Sequence, residues 1–244
     1  ADEPTHLLDS LSRIPRDWVG RRSQYLNQLP VLLKGYFPQA LQLVVLKTDM
    51  AMEFLSRWPD LIGLKAARPA SVKKFYYQHN VRSSELVEAR LQIIKNAKML
   101  TTNPVVLRTS GLQLKLLIEQ IKTFNSHIGR CDKEIAAAFK DHEDAPLFSE
   151  LPGAGPALAP RLLAGFGVDR SRFPDASSLQ KYAGVAPVRE KSGQQLYTHW
   201  RWRSPVFLRQ TFVEWAGQTE VWSRWASHYY HRMEAKGKKH HVIL

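Results

Sequence analysis

The residues best placed to do chemistry lie between positions 184 and 203. There the sequence Gly184-Val-Ala-Pro-Val-Arg189-Glu-Lys191-Ser192-Gly193-Gln-Gln sets a serine-glycine pair among cations and runs into Tyr197-Thr-His199-Trp200-Arg201-Trp202-Arg203. A serine hydroxyl is a weak nucleophile until a base activates it or its surroundings stabilise the developing charge. Arg189, Lys191, Arg201 and Arg203 could hold a phosphodiester and offset charge as phosphorus becomes five-coordinate. Trp200 and Trp202, interleaved with arginines, could equally stack bases and grip a backbone. On residue types alone, a lone Ser-Gly in a basic loop is more often simply a turn.

Two further stretches carry chemical potential. Leu151-Pro-Gly153-Ala-Gly155-Pro leads into the Ala/Leu-rich run 157–163, the pattern of a helix-hairpin-helix DNA-binding element. Gly153 and Gly155 would let the backbone turn tightly and approach a phosphate with no Cβ in the way. The following helix would turn its positive end toward the anion. An ordinary Gly-Pro loop between helices is the plainer alternative. A dinucleotide site is disfavoured, because no strand precedes the glycines and the last glycine of that motif is missing. Near the end, Trp222, Trp225, Tyr229 and Tyr230 mix with Arg224, Arg232, Lys236, Lys238 and Lys239. Aromatic residues three and four apart on a helix more often form core than a stacking platform. His240 and His241 are weak evidence for metal without a carboxylate partner.

Helices must position these residues. Leu7, Leu8, Leu11, Trp18, Leu26, Leu29 and Leu33 share one face of a helix over residues 1–35, interrupted at Pro15 and Pro30. Short helices are expected over Met50–Trp58 and Ser71–His79, the second capped by Ser71, and another over Glu85–Met99. Leu114, Leu117, Ile121, Phe124, Ile128, Cys131 and Ile135 make a heptad seam. On a helix of about 30 residues, roughly 45 Å long, that seam could pair with a second chain or fold against Glu85–Met99. The acidic, Pro-containing run Asp141–Pro146 ends it. The expected fold is therefore mainly α. Residues 1–146 form a helical linker and coiled-coil region, and residues 147–244 form a compact helical domain containing the helix-hairpin-helix element.

Composition narrows the partners. The 244 residues can bury one large core or two small ones, and 44% of them are hydrophobic. A net charge of +13 points to a polyanion, with nucleic acid the default. The excess is denser after residue 150, where 14 Lys and Arg stand against 6 Asp and Glu. No apolar run approaches the roughly 20 residues that span a bilayer. The single Cys131 excludes an internal disulfide and a cysteine zinc cage, which fits a reducing, cytoplasmic setting. Ala1-Asp2-Glu3-Pro4 does not read as a signal peptide.

Taken in order, Leu151-Pro-Gly-x-Gly155, Arg172-Phe173-Pro174, Tyr182-Ala-Gly184-x-Ala-Pro187, Ser192-Gly193 and Phe207-Leu-Arg209 resemble one known domain. It is the C-terminal domain of the IS110 (IS116/IS902) family of insertion-sequence transposases, and the resemblance covers about residues 147–244. Residues 1–146, including Tyr36-Phe37-Pro38-Gln39-Ala40-Leu41, resemble that family's linker and coiled-coil region. The resemblance implies an enzyme with two halves. A RuvC-like N-terminal domain binds divalent metal through four acidic residues, and the C-terminal domain supplies a serine that forms a phosphoserine link to DNA. It also implies DNA as a partner and, in many members, a guide (bridge) RNA. By this resemblance Ser192 is the nucleophile, and Arg189, Lys191, Arg201, Arg203 and Arg209, with Gly153 and Gly155, are the DNA-contacting positions. Self-association through the coiled coil is expected, and no membrane partner.

The sequence also departs from the family pattern. Asp2, Glu3, Asp9 and Asp17 lie in helix-like sequence and do not match the acidic quartet. The RuvC-like domain is therefore expected to be missing, with no cofactor in this chain and Mg²⁺ in that other domain. The glycine- and lysine-rich pattern that follows Ser-Gly in the family is replaced by Tyr197–Arg203, and the end at Leu244 is early. The chain is expected to be inactive as a recombinase by itself. A non-catalytic nucleic-acid-binding remnant of a transposase is the alternative. A helix-hairpin-helix repair enzyme is disfavoured, because no lysine occurs between Gly155 and Lys181.

Overall fold

The computed structural model describes residues 2–199, 201 and 203–244, the Arg170 side chain excepted. It is mainly α, as expected, with one two-stranded antiparallel hairpin among the described residues. The chain divides into two compact units, Asp17–Ile128 and the combination of Ala1–Arg16 with Gly129–Leu244. Two long helices, α1 (Glu3–Lys34) and α7 (Pro104–Lys140), each contribute residues to both units. Among the described residues no helix is long and apolar enough to cross a membrane.

Helix α1 runs unbroken through Pro15 and Pro30, where interruptions were expected. An interior proline costs about 3 kcal/mol. Leu8, Leu29 and Leu33 are fully buried along the same helix, and each contributes roughly 1.5–3 kcal/mol by leaving water, so packing outweighs the local preference.

In the unit Asp17–Ile128, α1 is followed by α2 (Ala40–Leu43), α3 (Asp49–Arg57), α4 (Leu61–Ala66), α5 (Pro69–Gln78) and α6 (Ser84–Asn96). Side-chain caps open three of them: Thr48 accepts from Ala51 N–H at 3.2 Å, Asp60 from Gly63 N–H at 2.7 Å, and Ser83 from Leu86 N–H at 3.2 Å. Ser71 is not a cap. Helix α5 starts two residues earlier, at Pro69, whose fixed φ suits the first helical position. Phe37, Phe54, Leu55 and Tyr76 form the centre of this core, with Val87 and Ile94 of α6.

The heptad seam is used inside the chain. Leu114, Leu117 and Ile121 join that same core with α6. Phe124 packs against Trp18 and Tyr25, at 5.8 and 5.4 Å between ring centroids. Ile128 and Ile135 are also buried, and Cys131 is half-buried.

The other unit continues with α8 (Ala145–Ser149), α9 (Gly155–Phe166), α10 (Ala176–Ala183), the strands β1 (Val188–Ser192) and β2 (Gln195–His199), then α11 (Val206–Trp222), α12 (Arg224–Glu234) and α13 (His240–Ile243). Its core gathers Leu8, Ile135, Phe148, Ala159, Leu162 and Leu163. A buried polar contact ties its first residues in. His142 Nδ1 accepts from Asp144 N–H at 3.1 Å, so Nε2 carries the proton and donates to Thr5 Oγ1 at 2.9 Å.

Candidate nucleic-acid interface

Between α8, which ends at Ser149, and α9, which begins at Gly155, the chain makes a tight turn. Gly153 and Gly155 take φ of +73° and +55°, which L side chains rarely adopt. Their surroundings differ. A Cβ on Gly153 would lie 2.7–2.9 Å from the backbone of Gln218 and Thr219 in α11, whereas nothing lies within 4 Å of one on Gly155. The close approach at Gly153 is thus to protein backbone, and Gly155 faces open space. The turn is pinned there by Pro152 O, which accepts from Trp215 Nε1 at 2.9 Å and Thr219 Oγ1 at 3.2 Å. In front of it lies a cleft of about 620 Å³, whose walls include Gly153, Gly155, Pro156, Arg161, Glu214 and Trp222.

Behind the cleft sits a charge network that the motifs did not reveal. Arg161 Nη1 donates to Glu214 Oε2 at 2.6 Å and its Nη2 to Thr211 Oγ1 at 2.9 Å. Arg16 Nη2 donates to Glu214 Oε1 and Gln210 Oε1, each at 2.9 Å. Burial would raise the Glu214 pKa, but the hydrogen bond and charge of Arg161, with Arg16, hold it below its ordinary value. Burial also lowers the Arg161 pKa, partly countered by Glu214; a guanidinium stays charged regardless. One signal was available in the sequence: Arg161 is the single charge in the apolar run Leu158–Leu163. A buried arginine needs a carboxylate, but its partner lies 53 residues away.

Other motif residues dock on one another. Arg172 Nη2 donates to Tyr182 Oη at 2.7 Å and lies over that ring at 4.7 Å, with Phe173 beside Tyr182 at 5.4 Å. Gly184 caps α10 in the left-handed region, φ +76°, and a Cβ there would run into Ser204. Arg209 donates to Ser204 Oγ at 3.5 Å and is half-buried.

Ser192 stands at the tip of the hairpin, paired with Gln195 across the two-residue turn Gly193-Gln194. Gly193 has φ +60°, as such turns require. Ser192, Arg189 and Lys191 are all exposed. Strand alternation places Ser192 on the face of Glu190, and Arg189 and Lys191 on the other. Glu190 lies about 7 Å back along the strand, paired with His199 Nε2 at 3.1 Å. Among the described residues the Ser192 hydroxyl has no hydrogen-bond partner. Arg201 and Arg203 are exposed beyond β2. Trp200 and Trp202 lie outside the described residues.

The terminal aromatic residues are not core, contrary to their spacing. Among the described residues no side chain of α12 is buried. Trp222 and Trp225 are 73% and 77% exposed. Spacing reveals that a helix has a face, but not whether anything covers it.

Among the described residues no three His, Cys, Asp or Glu side chains gather as a metal site. The fold and site define a helical, basic protein that displays a serine-tipped hairpin and a glycine turn docked on α11. Residues 145–231 match the model of the Transposase IS116/IS110/IS902 family. The transposase assigned to the IS117 mini-circle of Streptomyces coelicolor is 29% identical over 236 residues, covering 94% of this chain and 57% of that protein. An IS116 protein of Streptomyces clavuligerus is 28% identical, covering 80% and 49%. An IS900 protein of Mycobacterium paratuberculosis is 28% identical, covering 61% and 37%. The chain therefore spans at most 57% of the length of these relatives.

Proposed function

We propose that this chain is the serine-bearing part of an insertion-sequence transposase that acts on DNA. In the completed enzyme, Ser192 Oγ attacks a DNA phosphodiester. An Oγ–P bond forms as one P–O bond to deoxyribose breaks; the serine gives up its proton, and the departing sugar oxygen gains one. The observation that carries this reading is the position of Ser192, exposed at a tight turn that leaves its hydroxyl accessible to a phosphodiester. Among the described residues the Ser192 hydroxyl has no hydrogen-bond partner to act as base, so activation is assigned to the assembled enzyme, through a RuvC-like domain. Among the described residues no three metal-ligating side chains gather, and in this reading Mg²⁺ is held by the RuvC-like domain. Arg189, Lys191, Arg201 and Arg203 bind flanking phosphates, and a guide RNA directs the DNA. The bare Ser192 hydroxyl equally suits a binding-only remnant, which makes covalent chemistry the deciding test.

The test is covalent capture. The wild-type chain and Ser192→Ala are incubated with a separately supplied RuvC-like domain, Mg²⁺, guide RNA and labelled donor DNA, then run on denaturing gels. A labelled adduct present in the wild type and lost in Ser192→Ala is the expected result. DNA binding without an adduct, alongside an active full-length transposase as control, leaves the binding-only reading.

A further inference from the structure

We propose that the end of α11 and α12 form a stacking platform for an unpaired DNA strand. On α12, Trp225, Tyr229 and Arg232 follow one another at spacings of four and three, so they share a face. The Trp225 and Tyr229 rings are nearly parallel, 15° apart with centroids at 5.9 Å, and the Arg232 guanidinium lies over Tyr229 at 5.6 Å. Trp222, at the end of α11, is also exposed. It borders both the glycine-turn cleft and a second cleft of about 410 Å³ that includes Arg224, His228 and His231. A strand leaving the glycine turn would cross Trp222 and run along the cations of α12.

Charge selects the occupant. Residues 220–244 hold five Lys and Arg and four His against two Glu. A second copy would bring the same positive face against this one and be repelled, whereas a phosphate chain complements it. Ring geometry selects the strand type. Exposed indole and phenol faces give energy to bases whose own faces are free, and a duplex keeps its bases stacked inside. The commitment to DNA rests on the transposase reading above; the platform itself rests on the rings and the charges.

The test measures polarisation of fluorescein-labelled oligo(dT), a matched duplex and oligo(rU) against the 244-residue chain. Expected is tighter binding of oligo(dT) than of duplex, with Trp225→Ala weakening oligo(dT) by about tenfold, within the range for one stacked base, and duplex by less than about twofold. Trp225→Phe should restore most of the loss. Because Trp225 is so exposed, the variant should melt like the wild type, and circular dichroism checks this. Equal losses on single strand and duplex would overturn the proposal, as would an unchanged oligo(dT) affinity. A preference for oligo(rU) that depends on Trp225 would overturn the assignment to DNA. A fall in sedimentation mass in Trp225→Ala would make this a self-association face. Covalent capture at Ser192 does not depend on any of these outcomes, so the two readings fail separately.

Discussion

Replacing Gly153 by alanine should destabilise the unit that carries the glycine turn, and the magnitude can be worked from the two glycines together. At φ +73° an L residue costs about 1–2 kcal/mol relative to glycine. The added Cβ would also lie 2.7 Å from the Gln218 carbonyl carbon and 2.8 Å from Thr219 N. Those are backbone atoms of α11 and cannot rotate away, so relief requires the turn to lift, at about 1–3 kcal/mol for an overpacked site. The sum is about 2–5 kcal/mol. Lifting the turn would also stretch the bonds from Trp215 and Thr219 to Pro152 O. Gly155→Ala is the internal control: its φ of +55° carries the conformational cost, but the new Cβ meets nothing within 4 Å. Urea unfolding at neutral pH, followed by circular dichroism, reads both. The reasoning predicts a clearly larger loss for Gly153→Ala than for Gly155→Ala. Equal losses, or a Gly153→Ala within about 0.5 kcal/mol of wild type, would show that the turn does not press on α11.

Two further predictions concern the seam and the charge network. Ile121→Ala should cost about 2–4 kcal/mol as a buried large-to-small change and leave the sedimentation mass unchanged; a mass that halves would return the seam to an interchain role. Glu214, held below its ordinary value of 4.5, stabilises the fold fully above that value and loses the contribution as pH falls through its lowered folded value. The gap in urea midpoint between wild type and Glu214→Gln should therefore be widest above pH 4.5 and shrink below it. A gap independent of pH would mean that the glutamate's charge has no part in holding Arg161.

The sequence by itself determined what depends on near neighbours along the chain. Apolar repeats at three and four residues dictated the helices, whereas the one cap expected, Ser71, lies inside α5. Gly193 after Ser192 was legible as a turn, because only a left-handed residue closes a two-residue hairpin comfortably. The ordered motifs from Leu151 to Arg209 were enough to indicate the family. Only the tertiary structure decided which faces are covered. Leu114 to Ile135 could have served two chains, and all of the seam but the half-buried Cys131 is buried in one. Trp222 and Trp225 had the spacing of core and stand in solvent. Gly153 read as room for a phosphate, yet the backbone that approaches it belongs to α11. Arg161 announced a need for a carboxylate without naming Glu214. Helix periodicity specifies a direction around an axis, but what lies in that direction is set by chain segments tens of residues away, and only folding brings them there.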